Sequence, residues 1–124
     1  MGVKSFHVSG HCYTGKNSRP IFRRGNGVPF LGKSKKLADY QKYAIAKLRQ
    51  LNGFAPPLTG PVWCELEIRY AGPTPDAFGP AETIFDCLQA AGIVEDDVQL
   101  IPVGIYRTHV KKADEGFTAS LEWE

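Results

Sequence analysis

The stretch PVWCELEIRY, residues 61–70, constrains the fold more than any other part of the chain. Its apolar positions alternate with Trp63, two glutamates and Arg69. A period of two is typical of a strand buried on one face only. The apolar side comprises Val62, Cys64, Leu66, Ile68 and Tyr70. The sequence therefore predicts a domain built around a half-buried strand.

Two further segments follow a helical period. In residues 35–53 apolar side chains recur at steps of three and four, with Ser34 as N-cap and Gly53 as the end. The second helix has Pro80 in its first turn and ends at Gly92. The predicted buried faces are Leu37, Tyr40, Ala44, Leu48 and Leu51 in the first helix, and Ile84, Cys87, Leu88 and Ala91 in the second.

The remaining segments are typical of strands. Residues 2–9, 100–110 and 116–124 each predict one strand. Two short strands joined at Gly25-Asn26-Gly27 fit the intervening stretch, since Asn-Gly favours a tight hairpin turn. The predicted order is βββαβαββ, an α+β (mixed α/β) domain spanning residues 1–124 with a sheet packed by two helices.

Composition narrows the class of protein. At 124 residues the chain is long enough for one modest core, and no apolar run approaches the roughly 20 residues that span a membrane. The first residues lack the apolar centre of a secretory signal. Three cysteines without paired spacing predict buried thiols in a reducing compartment. We therefore expect a cytoplasmic protein that has no membrane partner.

Charge is divided unevenly along the chain. Residues 1–60 carry eleven Lys or Arg and one acid, whereas residues 61–124 carry four Lys or Arg and twelve acids. A basic half favours a polyanionic partner, because cationic side chains that neutralise phosphates release condensed counterions. The alternative is a solvated surface on which charges happen to segregate. The predicted hairpin and its flanks form a candidate DNA-binding arm: Lys16, Arg19, Arg23, Arg24, Lys33, Lys35 and Lys36.

Acidic residues bracket the second helix. Asp76 follows the strand 61–70, and the pair Asp96-Asp97 follows the helix and its glycine turn. Clustered carboxylates bind Mg²⁺, which activates water and neutralises charge on a phosphodiester. If the helix brought both ends into one cleft, these three residues could hold Mg²⁺ or Mn²⁺. Acidic loop pairs are also commonly just solvated.

From about residue 8 onward the chain resembles the RusA family of Holliday junction resolvases, small dimeric endonucleases of phages and prophages. The family pattern is D-x-D-N-x-x-K, a helix with an internal Asp and Leu, a glycine turn and D-D-x-Q. Here the segment reads PDAFGPAETIFDCLQAAGIVEDDVQL, with the same spacing from Asp76 to the pair Asp96-Asp97 and on to Gln99. The resemblance implies a homodimer that binds branched DNA in recombination and repair.

The departures from this pattern fall on the chemistry. The second Asp, the Asn and the Lys of the family are replaced by Phe78, Gly79 and Glu82. Phe78 cannot ligate a metal, and we expect it to pack against the domain. The resemblance therefore implies a weakened or lost nuclease, with Asp76 and Asp97 as remnants of its catalytic and metal site. Glu82 is the candidate replacement carboxylate.

Two alternatives remain open. One is an active Mg²⁺- or Mn²⁺-dependent resolvase that uses a rearranged set, Asp76, Glu82, Asp96 and Asp97. The other is a repurposed phage or mobile-element factor whose acidic C-terminal half contacts a host or phage protein.

Overall fold

The computed structural model describes residues 1–13, 21–23, 29–31 and 35–124, with the backbone alone for the two three-residue segments. The strands are β1 (Gly2–Ser9), β2 (Ile21–Arg23), β3 (Pro29–Leu31), β4 (Val62–Tyr70), β5 (Leu100–His109) and β6 (Gly116–Trp123). The helices are α1 (Lys35–Asn52) and α2 (Phe78–Ala90), and Asp97–Gln99 and Lys112–Asp114 form short 3-10 turns. The described elements follow the predicted order βββαβαββ.

Four strands form a mixed sheet in the order β1-β6-β4-β5, and β2 pairs separately with β3. Strand β6 is antiparallel to both β1 and β4, whereas β4 and β5 are parallel. Parallel neighbours require a crossover, and α2 supplies it. Its two ends consequently lie near opposite ends of β4.

The alternating apolar residues of β4 face the core, as predicted. Val62, Cys64, Leu66 and Ile68 are buried, and Tyr70 is half-buried. They belong to one core cluster with apolar residues of β1, β6 and both helices. The fold is therefore a mixed α+β domain in which the helices cover one face of the four-stranded sheet.

The predicted helical faces are confirmed except at one position. Leu37, Tyr40, Ala44 and Leu48 of α1 are buried, as are Ile84, Cys87, Leu88 and Ala91 at α2. The prediction for Leu51 was wrong, since 48% of it is exposed. The guanidinium of Arg49 donates to the main-chain oxygen of Ala90, the last residue of α2, at 3.0 Å. Leu51 follows Arg49 in the last turn of α1, so it lies near the end of the contact between the two helices.

Strand β5 is an edge of the four-stranded sheet and differs from β4 in its burial. Leu100 is buried, but most of the strand is exposed on both faces. Pro102 lies within it, and the register against β4 shifts by one residue between Cys64 and Glu65. A proline and a bulge are both tolerated at an edge, where one side of the ladder has no partner strand.

The three cysteines are free and buried, as expected. Burial raises the pKa of the Cys12 thiol to about 11 and that of Cys64 to about 12, so both are protonated at neutral pH. The predicted turn at residues 25–27 and the Ser34 cap lie outside the described residues.

Candidate functional site

Asp76 lies at the N-terminal end of α2, in the loop that follows β4. It is exposed, and its Oδ2 accepts a hydrogen bond from the amide of Gly79 at 3.1 Å. A carboxylate that accepts from a first-turn amide caps the helix and compensates its positive end. The helix begins at Phe78, so Pro80 lies in its first turn, as predicted.

Asp96 and Gln99 form a reciprocal cap at the other end of the α2 segment. The amide of Val98 donates to Asp96 Oδ1 at 3.1 Å. In return, Gln99 Oε1 accepts from the amides of Asp96 and Glu95 at 2.8 and 2.9 Å. An acid followed three residues later by Gln is the sequence signature of such a capping box. The segment EDDVQ carries this signature within the part of the chain that resembles the family motif.

The side-chain nitrogen of Gln99 also connects two loops. Its Nε2 donates to the main-chain oxygens of Leu58 and Gly60 at 2.9 and 2.8 Å. Leu58 pairs in addition with the turn after α2, its amide donating to Ile93 O at 2.9 Å. Gln99 therefore joins the entrance to β4 with the entrance to β5, which is a structural task independent of any nuclease chemistry.

Asp97 is only partly exposed and lies among other acids. Its amide donates to Gln89 Oε1 at 3.0 Å. The adjacent carboxyl of Asp96 raises the pKa of Asp97, and partial burial and the charge of Asp86 raise it further. The ionised form of Asp97 is thus disfavoured in the folded chain, as in other groups of neighbouring carboxylates.

The helix separates the two halves of the predicted metal site. Asp76 precedes α2 and Asp97 follows it, and 13 helical residues span about 20 Å. Among the residues that the structure describes, no three His, Cys, Asp or Glu side chains are grouped to hold a metal ion. Asp76 and the pair Asp96-Asp97 thus lie toward opposite ends of α2.

The replacements in the family motif lie on the helix surface. Phe78 is 63% exposed, so the expectation that it packs against the domain was wrong. It occupies the first position of a helix whose buried face begins at the next residue, Gly79. Glu82 and Asp86 are exposed and lie four residues apart, on the same face of α2. Glu82 is thus placed along the helix between the two acidic ends.

The basic candidates are described only in part. Lys35 and Lys36 are exposed in the first turn of α1, which contains no acidic residue. Cations at the positive end of a helix are unfavourable by roughly 0.3–1 kcal/mol each, a cost that a bound anion would offset. The positions Lys16, Arg19, Arg24 and Lys33 lie outside the described residues, as does the side chain of Arg23.

A cleft that the sequence did not reveal lies beside Asp76. Its volume is about 340 Å³, and it separates residues 11–13 from residues 70–76. Glu115, one of the two buried polar residues in the described part of the chain, joins the two walls. Its Oε2 lies 2.9 Å from His11 Nδ1 and accepts from the amide of Ala71 at 3.2 Å. No local motif signals this pair, because His11 and Glu115 are 104 residues apart.

No model of a known protein family matches this chain, and comparison with curated proteins finds no match. Neither helix in the described part is long and apolar enough to cross a membrane.

Proposed function

We propose that this chain is a cytoplasmic RusA-like protein that binds branched or structured DNA, with nuclease activity that is weak or lost. The observation that carries the proposal is the positive charge at the start of α1. There Lys35 and Lys36 are exposed beside the helix's own positive end, and the first turn supplies no acid. The next residues along the chain toward the N-terminus belong to the predicted basic arm.

The proposed loss of cutting rests on the acidic residues. Two carboxylates of the presumed metal set are engaged in caps, Asp76 with Gly79 and Asp96 with Val98. The third, Asp97, lies beyond the opposite end of α2 from Asp76. Phe78 brings no ligand to this surface. Each observation weakens the case for a Mg²⁺ or Mn²⁺ site within one copy.

The proposal is tested by charge reversal with a matched control. The double variant Lys35→Glu, Lys36→Glu is compared with Lys111→Glu, Lys112→Glu. This control changes the net charge by the same amount, but near the C-terminal end of the sequence. We expect the first variant to bind a labelled four-way junction about 10–100-fold more weakly. The slope of log K against log salt should fall by about 1.8, the value for two lost phosphate contacts.

Because acids favour the start of a helix, the first variant should retain α1, and circular dichroism checks this. Equal affinity of the two double variants for the junction would contradict the proposal.

Cutting is measured in the same assay with EDTA, Mg²⁺ or Mn²⁺, on the junction and on a matched linear duplex. We expect tight junction binding without cuts. Symmetric metal-dependent cuts that disappear in Asp97→Asn would instead establish the active resolvase with a rearranged carboxylate set. Sedimentation of the free chain tests the homodimer that the resemblance implies.

A second candidate is a protein-binding factor, favoured by the exposed acids Glu82 and Asp86 on α2. Under this alternative the chain would not bind DNA at moderate salt. Reversal of these two charges would then weaken capture of the protein partner.

A further inference from the structure

The cleft beside Asp76 has the size and lining of a ligand site. One wall is formed by His11, Cys12 and Tyr13, and the other by Tyr70 and the loop 72–76. Its volume of about 340 Å³ falls at the lower end of the range of ligand pockets, roughly 300–1,000 Å³. A pocket of this size admits one nucleotide but not a paired duplex.

Aromatic rings on both walls are held in place by their neighbours. The ring of Tyr13 lies 4.7 Å from that of His11 and 5.6 Å from that of Tyr40. On the opposite wall, the ring of Tyr70 lies 5.4 Å from that of His109, and its hydroxyl is 3.1 Å from that of Thr74. Rings fixed before binding lose little freedom when a ligand arrives, and every nucleobase has a face that stacks on them.

Glu115 sets the separation of the walls and the orientation of His11. Its buried carboxylate binds the His11 ring through Nδ1 and the opposite wall through the amide of Ala71. This hydrogen bond to His11 lowers the pKa of Glu115, so its charge persists at neutral pH. The His11 side chain remains 54% exposed. With Nδ1 engaged, Nε2 is the ring nitrogen that a ligand can reach.

Two arginines lie near the loop that forms the second wall. Arg69 lines the cleft, but its guanidinium is paired with the carboxylate of Glu67 at 2.7 Å. From β5, Arg107 donates to the main-chain oxygen of Pro75 at 3.0 Å. A hydrogen bond to a carbonyl leaves the charge of Arg107 unneutralised, so Arg107 attracts a phosphate to this side of the loop. The carboxylate of Asp76, which also lines the cleft, opposes that attraction.

The cleft is also continuous in sequence with the predicted DNA-binding arm. Tyr13 ends the first wall, and the candidate phosphate contacts begin three residues later at Lys16.

We infer that this cleft binds one unpaired nucleotide of branched DNA, with its base stacked on the tyrosine-lined walls and its phosphate beside His11. The inference rests on the proposed DNA binding and adds to it the feature that distinguishes a branch point from a duplex. Unpairing a base costs the least free energy at a branch, so a pocket for one unpaired nucleotide favours binding at such sites.

The test compares two labelled DNA probes of the same sequence, one fully paired and one with a single unpaired nucleotide. We expect Tyr70→Ala to weaken binding of the second probe about 10-fold, within the range measured for removing one base-stacking partner. His11→Ala removes the group beside the phosphate and should also weaken binding of this probe. Affinity for the paired probe should change less than two-fold. Tyr70→Phe keeps the ring and should retain most of the affinity.

His7→Ala is the matched histidine control. His7 is also exposed, but its Nδ1 lies 2.8 Å from the Thr118 hydroxyl on the sheet, and it does not line the cleft. We expect this variant to bind both probes as the wild type does. An equal loss of affinity in His7→Ala and His11→Ala would overturn the inference.

A second measurement uses the unaltered protein and so does not depend on how the variants fold. A photoreactive 5-iododeoxyuridine is placed at the unpaired position, and the crosslinked peptide is identified by mass spectrometry. Crosslinks within residues 11–13 or 70–76 support the inference, and crosslinks elsewhere overturn it. If the wild type binds neither probe, the proposed function fails as well. If it binds both and the variants behave normally, only the nucleotide pocket is refuted.

Discussion

Replacing Gln99 with Ala should expose how much of the D-D-x-Q block is structural. The Gln99 side chain makes four hydrogen bonds, accepting from the amides of Glu95 and Asp96 and donating to the carbonyls of Leu58 and Gly60. A hydrogen bond contributes about 0.5–1.5 kcal/mol net, and water can replace part of these because the side chain is only half-buried. We therefore expect the free energy of unfolding to fall by about 2–3 kcal/mol.

This loss is large enough to measure by thermal or urea unfolding. For a domain of this size it corresponds to a fall in Tm of about 8–12 °C. Gln89→Ala is the control, because Gln89 makes one such bond, to the amide of Asp97, and should cost under about 1.5 kcal/mol.

Junction affinity separates the structural role from a direct part in DNA binding. Measured well below the Tm, the affinity of Gln99→Ala for the four-way junction should equal that of the wild type. A Tm within 2 °C of the wild-type value would refute the reasoning, since it would mean that the four bonds contribute almost nothing.

Three further changes test other contacts. Asp97→Asn should raise the Tm at pH 7 but not near pH 3. The pKa of Asp97 is raised in the folded chain, so ionisation of Asp97 lowers the stability of the wild type as the pH rises through that pKa. Glu115→Gln should act in the opposite sense, lowering the Tm at pH 7 with little effect in acid. The pKa of Glu115 is lowered by His11, so its stabilisation is present above the ordinary value and lost as pH falls. Gly116→Ala should lower the free energy of unfolding in urea by about 1–3 kcal/mol, because the added methyl group would overlap the main-chain oxygen of Val8. A midpoint equal to that of the wild type would show that β1 and β6 can move apart at this position.

The contrast between Leu48 and Leu51 shows what the helical repeat predicts about burial and what it does not. Both leucines follow the helical repeat of α1, yet only Leu48 is buried. A repeat specifies which face of a helix is apolar, but not where the partner helix ends. The position of α2 under Arg49 decides that, and it depends on how the two helices pack.

Some features of the fold and of the candidate site could likewise be predicted from the sequence, whereas others required the tertiary structure. The alternation in residues 62–70, the two apolar helical stripes and the order of elements could be predicted, because each depends on local spacing alone. The division of charge between the halves is likewise a property of the sequence. The placement of Asp76 and Asp97 relative to α2 depends on the parallel pairing of β4 and β5, which makes α2 the crossover between these strands. The cleft closed by His11 and Glu115 also required the tertiary structure, since only the pairing of β1 with β6 brings residues so distant in sequence within hydrogen-bonding distance.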